Sequence, residues 1–366
     1  MAVMSRRPVS RSTLRSHLAP GALVAAGLLV APACGEIPEP AGFVAPTSTT
    51  TGGLFESTDE AAATEAQALD VDDQSGFVPR APRGYVPEVV LVADGQVMLV
   101  PADGTAEPAS GFPGADGVVE AADDLLGGLV VQRATTERQI VWLQQGAEPI
   151  TVESGAVDLL DVGFDGSPVA VVLTGGELVE RIRLADNERT VMITLRQEDR
   201  ERLLSLSASG AVHAVAIANN RCGVLRFYGS DGEEVPDLQG PGEPDCIVPR
   251  RPAYGAVALS PGGRTLAYTV VTYRADGIPL STELRLRNLN TGADYATRNV
   301  AELGEEIDAL AFDGQRVVFS RVVVDGETEV YLLDMADEAP ATRIDPGAGT
   351  QVESVSFAQV PLAGER

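Results

Sequence analysis

The sequence predicts an all-β domain of about six four-stranded units closed into a β-propeller, and three observations lead there. From Tyr85 onward, short runs of Val, Ile, Leu and Tyr alternate with turn residues, and Asp-Gly dipeptides recur at Asp94, Asp103, Asp116, Asp165, Asp231, Asp276, Asp313 and Asp325. Asp-Gly between apolar runs marks tight hairpins, because glycine accepts the positive φ such turns need. The clearest strands begin near Glu88, Leu129, Pro168, Ala211, Arg264 and Gln315. That spacing is about 40 to 50 residues, the length of one propeller blade. Finally, the two ends complement each other. The first unit opens directly on its second strand, Glu88 to Val92, while an unmatched strand, Gln351 to Phe357, is left over after the sixth. Pairing the leftover strand with the first unit closes the ring and removes an open edge. A two-sheet sandwich is the competing architecture, and a seventh unit is not found.

Taken in chain order, residues 1–33 read as an export signal. Arg6, Arg7, Arg11 and Arg15 precede an apolar run, Gly21 to Val30, which ends at Ala31-Pro32-Ala33. A basic region, a short apolar region and small residues at the cut define a secretory signal. The run is about half of the ~20 residues that span a bilayer. Cys34 follows directly, and the segment Leu29 to Gly35 resembles the lipobox of bacterial lipoproteins. That resemblance implies a diacylglycerol on Cys34 and attachment to a membrane through it. Ala31-Pro32-Ala33 equally satisfies ordinary signal cleavage, and Ser5-Arg6-Arg7 resembles the start of a twin-arginine signal.

Residues 34–84 read as a tether. They hold Thr- and Gly-rich stretches, many Ala and Glu, and no periodic apolar face. Ordering such a segment costs entropy without compensating burial. Asp70 to Gly76 resembles a calcium loop only in part. Ser75 stands where the glycine is needed and Ala81 where the bidentate glutamate would be.

The propeller domain spans 85–360. Its last two units are the clearest. One runs Ala256 to Leu259, Ser260-Pro261-Gly262-Gly263, then Arg264-Thr265-Leu266-Ala267-Tyr268, with a further strand ending in Asn290-Thr291-Gly292. The other runs Ile307 to Phe312, Asp313-Gly314, then Gln315 to Phe319, and continues from Thr328 to Asp334. These units resemble the blades of TolB-type and WD-repeat-like propellers. The resemblance implies a binding or scaffold module, one that works on an exported lipoprotein with another envelope protein as partner. Blade motifs of this kind specify turns and packing, so they bear on fold more than on function.

The chain carries a net charge of −26, and all 27 basic residues are arginine. A surface so acidic repels nucleic acid and anionic lipid headgroups, so a nucleic-acid partner is not expected. Catalytic signatures are missing. No nucleophile elbow, phosphate loop or dinucleotide fingerprint is present. His213 is the one histidine after the signal and lies in an apolar strand, where it reads as a packed core or channel residue. The sequence therefore points away from catalysis, cofactors and zinc. A carbohydrate- or metal-ion-binding propeller, and a hydrolase or lyase using channel carboxylates, are the alternatives.

Cys222 and Cys246 are the thiols that remain if Cys34 is lipidated, and an even pair in an exported chain is normally oxidised. A bridge between them would pin the Pro- and Gly-rich connection from Gln239 to Asp245. The residues after it, Arg250, Arg251 and Tyr254, read as a contact surface.

Overall fold

The computed structural model describes residues 85–101, 105–209, 212–218, 223–242, 254–324, 326–337, 339–347 and 350–361. The readings on the signal, Cys34, the tether, Cys222, Cys246, Arg250 and Arg251 lie outside the described residues. Among those described, every regular element is a strand.

The strands fall into six sheets. The first holds β1 (Tyr85–Ala93), β2 (Gln96–Val100) and β3 (Glu107–Pro108). β4 (Val118–Asp123), β5 (Leu129–Ala134), β6 (Arg138–Leu143) and β7 (Ile150–Gly155) form the second. The third is β8 (Val157–Phe164), β9 (Pro168–Thr174), β10 (Leu178–Arg183) and β11 (Arg189–Thr194). The fourth has β12 (Arg202–Ser209), β13 (Val212–Ala218) and β14 (Gly223–Gly229). The fifth is β15 (Tyr254–Leu259), β16 (Thr265–Tyr273), β17 (Pro279–Asn288) and β18 (Asp294–Ala301). β19 (Glu306–Phe312), β20 (Arg316–Val322), β21 (Thr328–Asp334) and β22 (Thr342–Ile344) make the sixth. The last strand, β23 (Val352–Pro361), returns to pair antiparallel with β1 and completes the first sheet, in the order β23-β1-β2-β3. The expected six-bladed ring closed by the C-terminal strand is therefore the observed one.

The fourth sheet departs from the four-stranded pattern. Among the described residues its fourth position is held by a fragment: Gly229 N–H donates to Glu233 O at 2.8 Å and Val235 N–H to Phe227 O at 2.8 Å. Pro236 follows, and a proline has no N–H to extend the ladder.

The core is divided among the gaps between blades. The second strand of each blade buries both of its faces, one against each neighbour. In β1, Val90 and Val92 pack toward the second blade while Val89 and Leu91 pack toward the sixth. In β13, Val215 and Ile217 face the third blade and Ala214 and Ala216 face the fifth. In β20, Val317 and Phe319 face the fifth blade and Val318 the first. Burial on both faces is why these strands read as unbroken apolar runs, not as alternations. The second strands β1, β5, β9, β13, β16 and β20 are also the units whose spacing set the repeat.

Polar groups stitch the blades together near the axis. Ser356 Oγ donates to Ala121 O at 2.9 Å between the first and second blades. Leu159 N–H donates to Gln132 Oε1 at 2.6 Å between the second and third. Between the fourth and fifth, Val257 N–H donates to Ser205 Oγ (3.1 Å), Leu259 N–H to Ser207 Oγ (2.9 Å), and Ser209 Oγ to Pro261 O (2.9 Å). These serines alternate along β12, so period-2 geometry aims all three at the same neighbour. Ser207→Ala would strand a buried N–H, and an unmet buried donor costs about 1–3 kcal/mol. The variant is expected to unfold at a lower denaturant midpoint with an unchanged slope, measured by chemical denaturation.

The innermost strands β4, β8, β12, β15, β19 and β23 all run the same way through the ring. They start at what we term the upper face and end at the lower face. Hairpins between second and third strands, and the links from one blade to the next, lie on the upper face. The turn at Asp94-Gly95 is one of these hairpins, with φ of 51° and 77°, as the Asp-Gly reading requires. Tyr85 pairs with Pro361 at the lower face, so the chain joins the ring there.

Candidate functional site: the central channel

The innermost strands surround a channel of about 620 Å³. Its polar lining includes Glu120, Asp123, Asp158, Asp161, Asp308 and Asp313, together with Ser205, Ser207, Ser209 and Ser356. Among the described residues that line it, none is Arg, Lys or His. Its apolar lining includes Leu125, Pro261, Phe312 and Phe357.

Asp161 is the group most altered by this setting. It sits just after a register shift between Leu159 and Asp161 in the β8–β9 pairing. The irregularity turns its carboxylate toward β12, where Oδ2 accepts the Ala208 N–H at 2.7 Å; Oδ1 accepts its neighbour's Val162 N–H at 2.8 Å. Burial pushes the Asp161 carboxyl up to about 6, and it outweighs the opposing pull of the Ala208 and Val162 amides and the Ser207 hydroxyl. The residue is partly exposed along the channel wall, and its carboxyl is buried. Asp161 is thus both the tie between the third and fourth blades and a proton-exchanging group near neutral pH. The other carboxylates have partners. Asp158 is bonded by Arg138 and by Gln132 Nε2 (3.2 Å), and Asp313 by Arg316 Nη2 (2.8 Å). Among the described residues, no three His, Cys, Asp or Glu converge as a metal ion would require.

His213 lies on β13, fully buried at the gap between the third and fourth blades, and so away from the channel. Neither ring nitrogen has a hydrogen-bond partner among the described residues. Its pKa is lowered to about 4, by burial first and the Arg181 charge second, against the opposing pull of Asp165. Arg181 itself is held by Asp165 at 2.6 Å and by the Ser230 carbonyl. The imidazole is therefore neutral and packed.

Tyr254 is placed in the core, 6% exposed, with its ring set edge-on to Tyr268 at 5.9 Å. Its hydroxyl donates to the Gly242 carbonyl. It fastens the incoming connection to the fifth blade and has little surface of its own to offer a partner. Asp161 and the alternating serines were not singled out from the sequence. The Ser-x-Ser-x-Ser pattern of 205–209 was the available signal for the latter. Nothing local distinguishes Asp161 from its acidic neighbours.

No protein-family model matches the chain, and no curated protein matches it. Among solved structures, it is similar to a chain described as "Crystal Structure of Mitotic Checkpoint Complex", at 14% identity and a TM-score of 0.40, over 66% of this chain and 85% of that one. The propeller architecture rests on this chain's own strand pairing, and the fold is compatible with a binding or scaffold module.

Proposed function

We propose that this chain is an exported lipoprotein whose propeller serves as a non-catalytic binding or scaffold module at the cell envelope, with another envelope protein as its partner. The observation that carries the reading is the order of parts. An export-type segment, residues 1–33, precedes Cys34, about fifty residues without a periodic apolar face follow, and a closed ring begins at Tyr85. Closed rings hold their loops rigidly, and rigidly held loops are where binding residues concentrate. Cys34 would carry the lipid, and residues 34–84 would act as spacer.

The test is fractionation of the expressed full chain. Wild-type protein is expected in the membrane fraction with a lipid mass on its N-terminal peptide. Cys34→Ala should be soluble and lack that mass. Wild-type protein that is soluble after export would sink the anchored reading.

A further inference from the structure

We infer that the upper face of the fifth and sixth blades is a docking surface for a protein segment combining an apolar anchor with flanking Arg or Lys; the inference rests on the binding-module reading. Exposed large apolar side chains are few in the described ring, and four of them gather here. Ile278 (43% exposed) ends the hairpin between β16 and β17 and Leu280 (46%) lies at the start of β17, Leu303 (48%) lies on the link from β18 to β19, and Val324 (78%) tips the hairpin between β20 and β21. Backbone contacts show that these three loops are one surface. Gly304 N–H donates to Pro279 O at 2.9 Å, which joins the Leu303 loop to the residue between Ile278 and Leu280. A Cβ placed on Gly304 would stand 3.1 Å from Val324 Cγ2, so the sixth-blade hairpin lies directly against the same loop.

A contiguous apolar patch on the rim of a soluble ring marks an interaction site. The charges around it select the occupant. Exposed Glu302, Glu306 and Glu327 border the patch. The nearby arginines are engaged: Arg274 with Asp276 (3.4 Å), and Arg321 with Glu305 (3.1 Å) and Glu329 (2.8 Å). An apolar centre inside an acidic rim complements a basic, apolar segment and repels an anionic bilayer, a second copy of this acidic chain, and its own acidic residues 34–84. The ring is joined at the opposite face, by Tyr85, so the patch lies away from the point of attachment.

The test is selection of a displayed random peptide library on the full chain, with counter-selection on Leu303→Ser/Val324→Ser. Both sites are exposed, and an unchanged thermal transition confirms that the variant folds. Recovered peptides should carry a large apolar residue flanked by Arg or Lys. They should bind the wild-type chain roughly tenfold or more tightly than the double variant, as for truncated interface anchors. Glu302→Gln/Glu306→Gln should weaken the same peptides and flatten their salt dependence. Peptides that bind the double variant equally well would overturn the surface and leave the module reading standing. Failure to recover any peptide counts against both. Vesicle binding or dimerisation abolished by the double variant would overturn the choice of partner.

Discussion

Deletion of residues 350–366 is expected to abolish cooperative folding of the ring. The truncation removes β23, and with it the whole ladder to β1 from Tyr85↔Pro361 to Ala93↔Val352. It also removes Val352 and Val355, which are buried in the cluster between the sixth and first blades alongside Val89, Leu91 and Val318. Burying one such side chain contributes about 1.5–3 kcal/mol, so these two alone approach the ~5–15 kcal/mol by which a domain of this kind is stable. The apolar faces of Val89 and Leu91 would be bared at a newly open edge, a template for aggregation. Circular dichroism of the truncated chain should show no sharp thermal transition. Adding a synthetic peptide of residues 350–361 should restore one. A truncated chain that melts at the wild-type temperature would mean the closing strand is dispensable.

The second large effect concerns pH, where two buried groups act in opposite directions. His213 has a folded-state pKa of about 4 against an ordinary value of 6.5. The unfolded chain therefore takes up the proton first, and the stability tied to neutral His213 is complete above about 6.5 and lost as the pH falls toward 4. A shift of that size corresponds to about 3 kcal/mol. Asp161 runs the other way. Its pKa is raised from 3.8 to about 6, so the folded state holds its proton longer. The stability tied to protonated Asp161 is present below about 4 and lost as the pH rises through 6, again by about 3 kcal/mol. In the wild-type chain the two slopes largely offset each other between pH 4 and 6. His213→Leu should become more stable relative to wild type as the solution is acidified through that window. Asp161→Asn should become less stable relative to wild type over the same range. Urea midpoints at pH 4.5 and 8 for the three proteins are sufficient, and parallel pH profiles for wild type and His213→Leu would refute the account of His213.

The blade count was legible in the sequence because one strand per blade, the second, is sandwiched on both sides. Runs such as Glu88 to Val92 and Pro168 to Leu173 admit no polar residue on either face after their first position, and this makes the repeat visible. The outer strands carry less information because they are half solvated; β3 has only two residues, and the fourth blade replaces its outer strand with a fragment. A count based on second strands is insensitive to that loss. Tyr254 was misleading for a different reason. It follows a Pro- and Gly-rich connection, which locally resembles an exposed loop, but its aromatic partner Tyr268 comes from the adjacent strand and draws it inward. Asp161 and His213 carry shifted protonation because of how deeply neighbouring blades enclose them, a property of the assembled ring that no local window contains.

The pairing of β23 with β1 has a further consequence, and it concerns time. The first strand of the domain to be synthesised waits for the last before its blade is whole. Until Pro361 has left the ribosome, β1 keeps one edge unsatisfied and the core shared by the first and sixth blades lacks Val352 and Val355. Interior blades face no such delay, since each is completed by sequence only tens of residues away. Premature termination anywhere upstream would therefore leave two raw ends, and quality control by proteases would see an incomplete product even when most blades have formed.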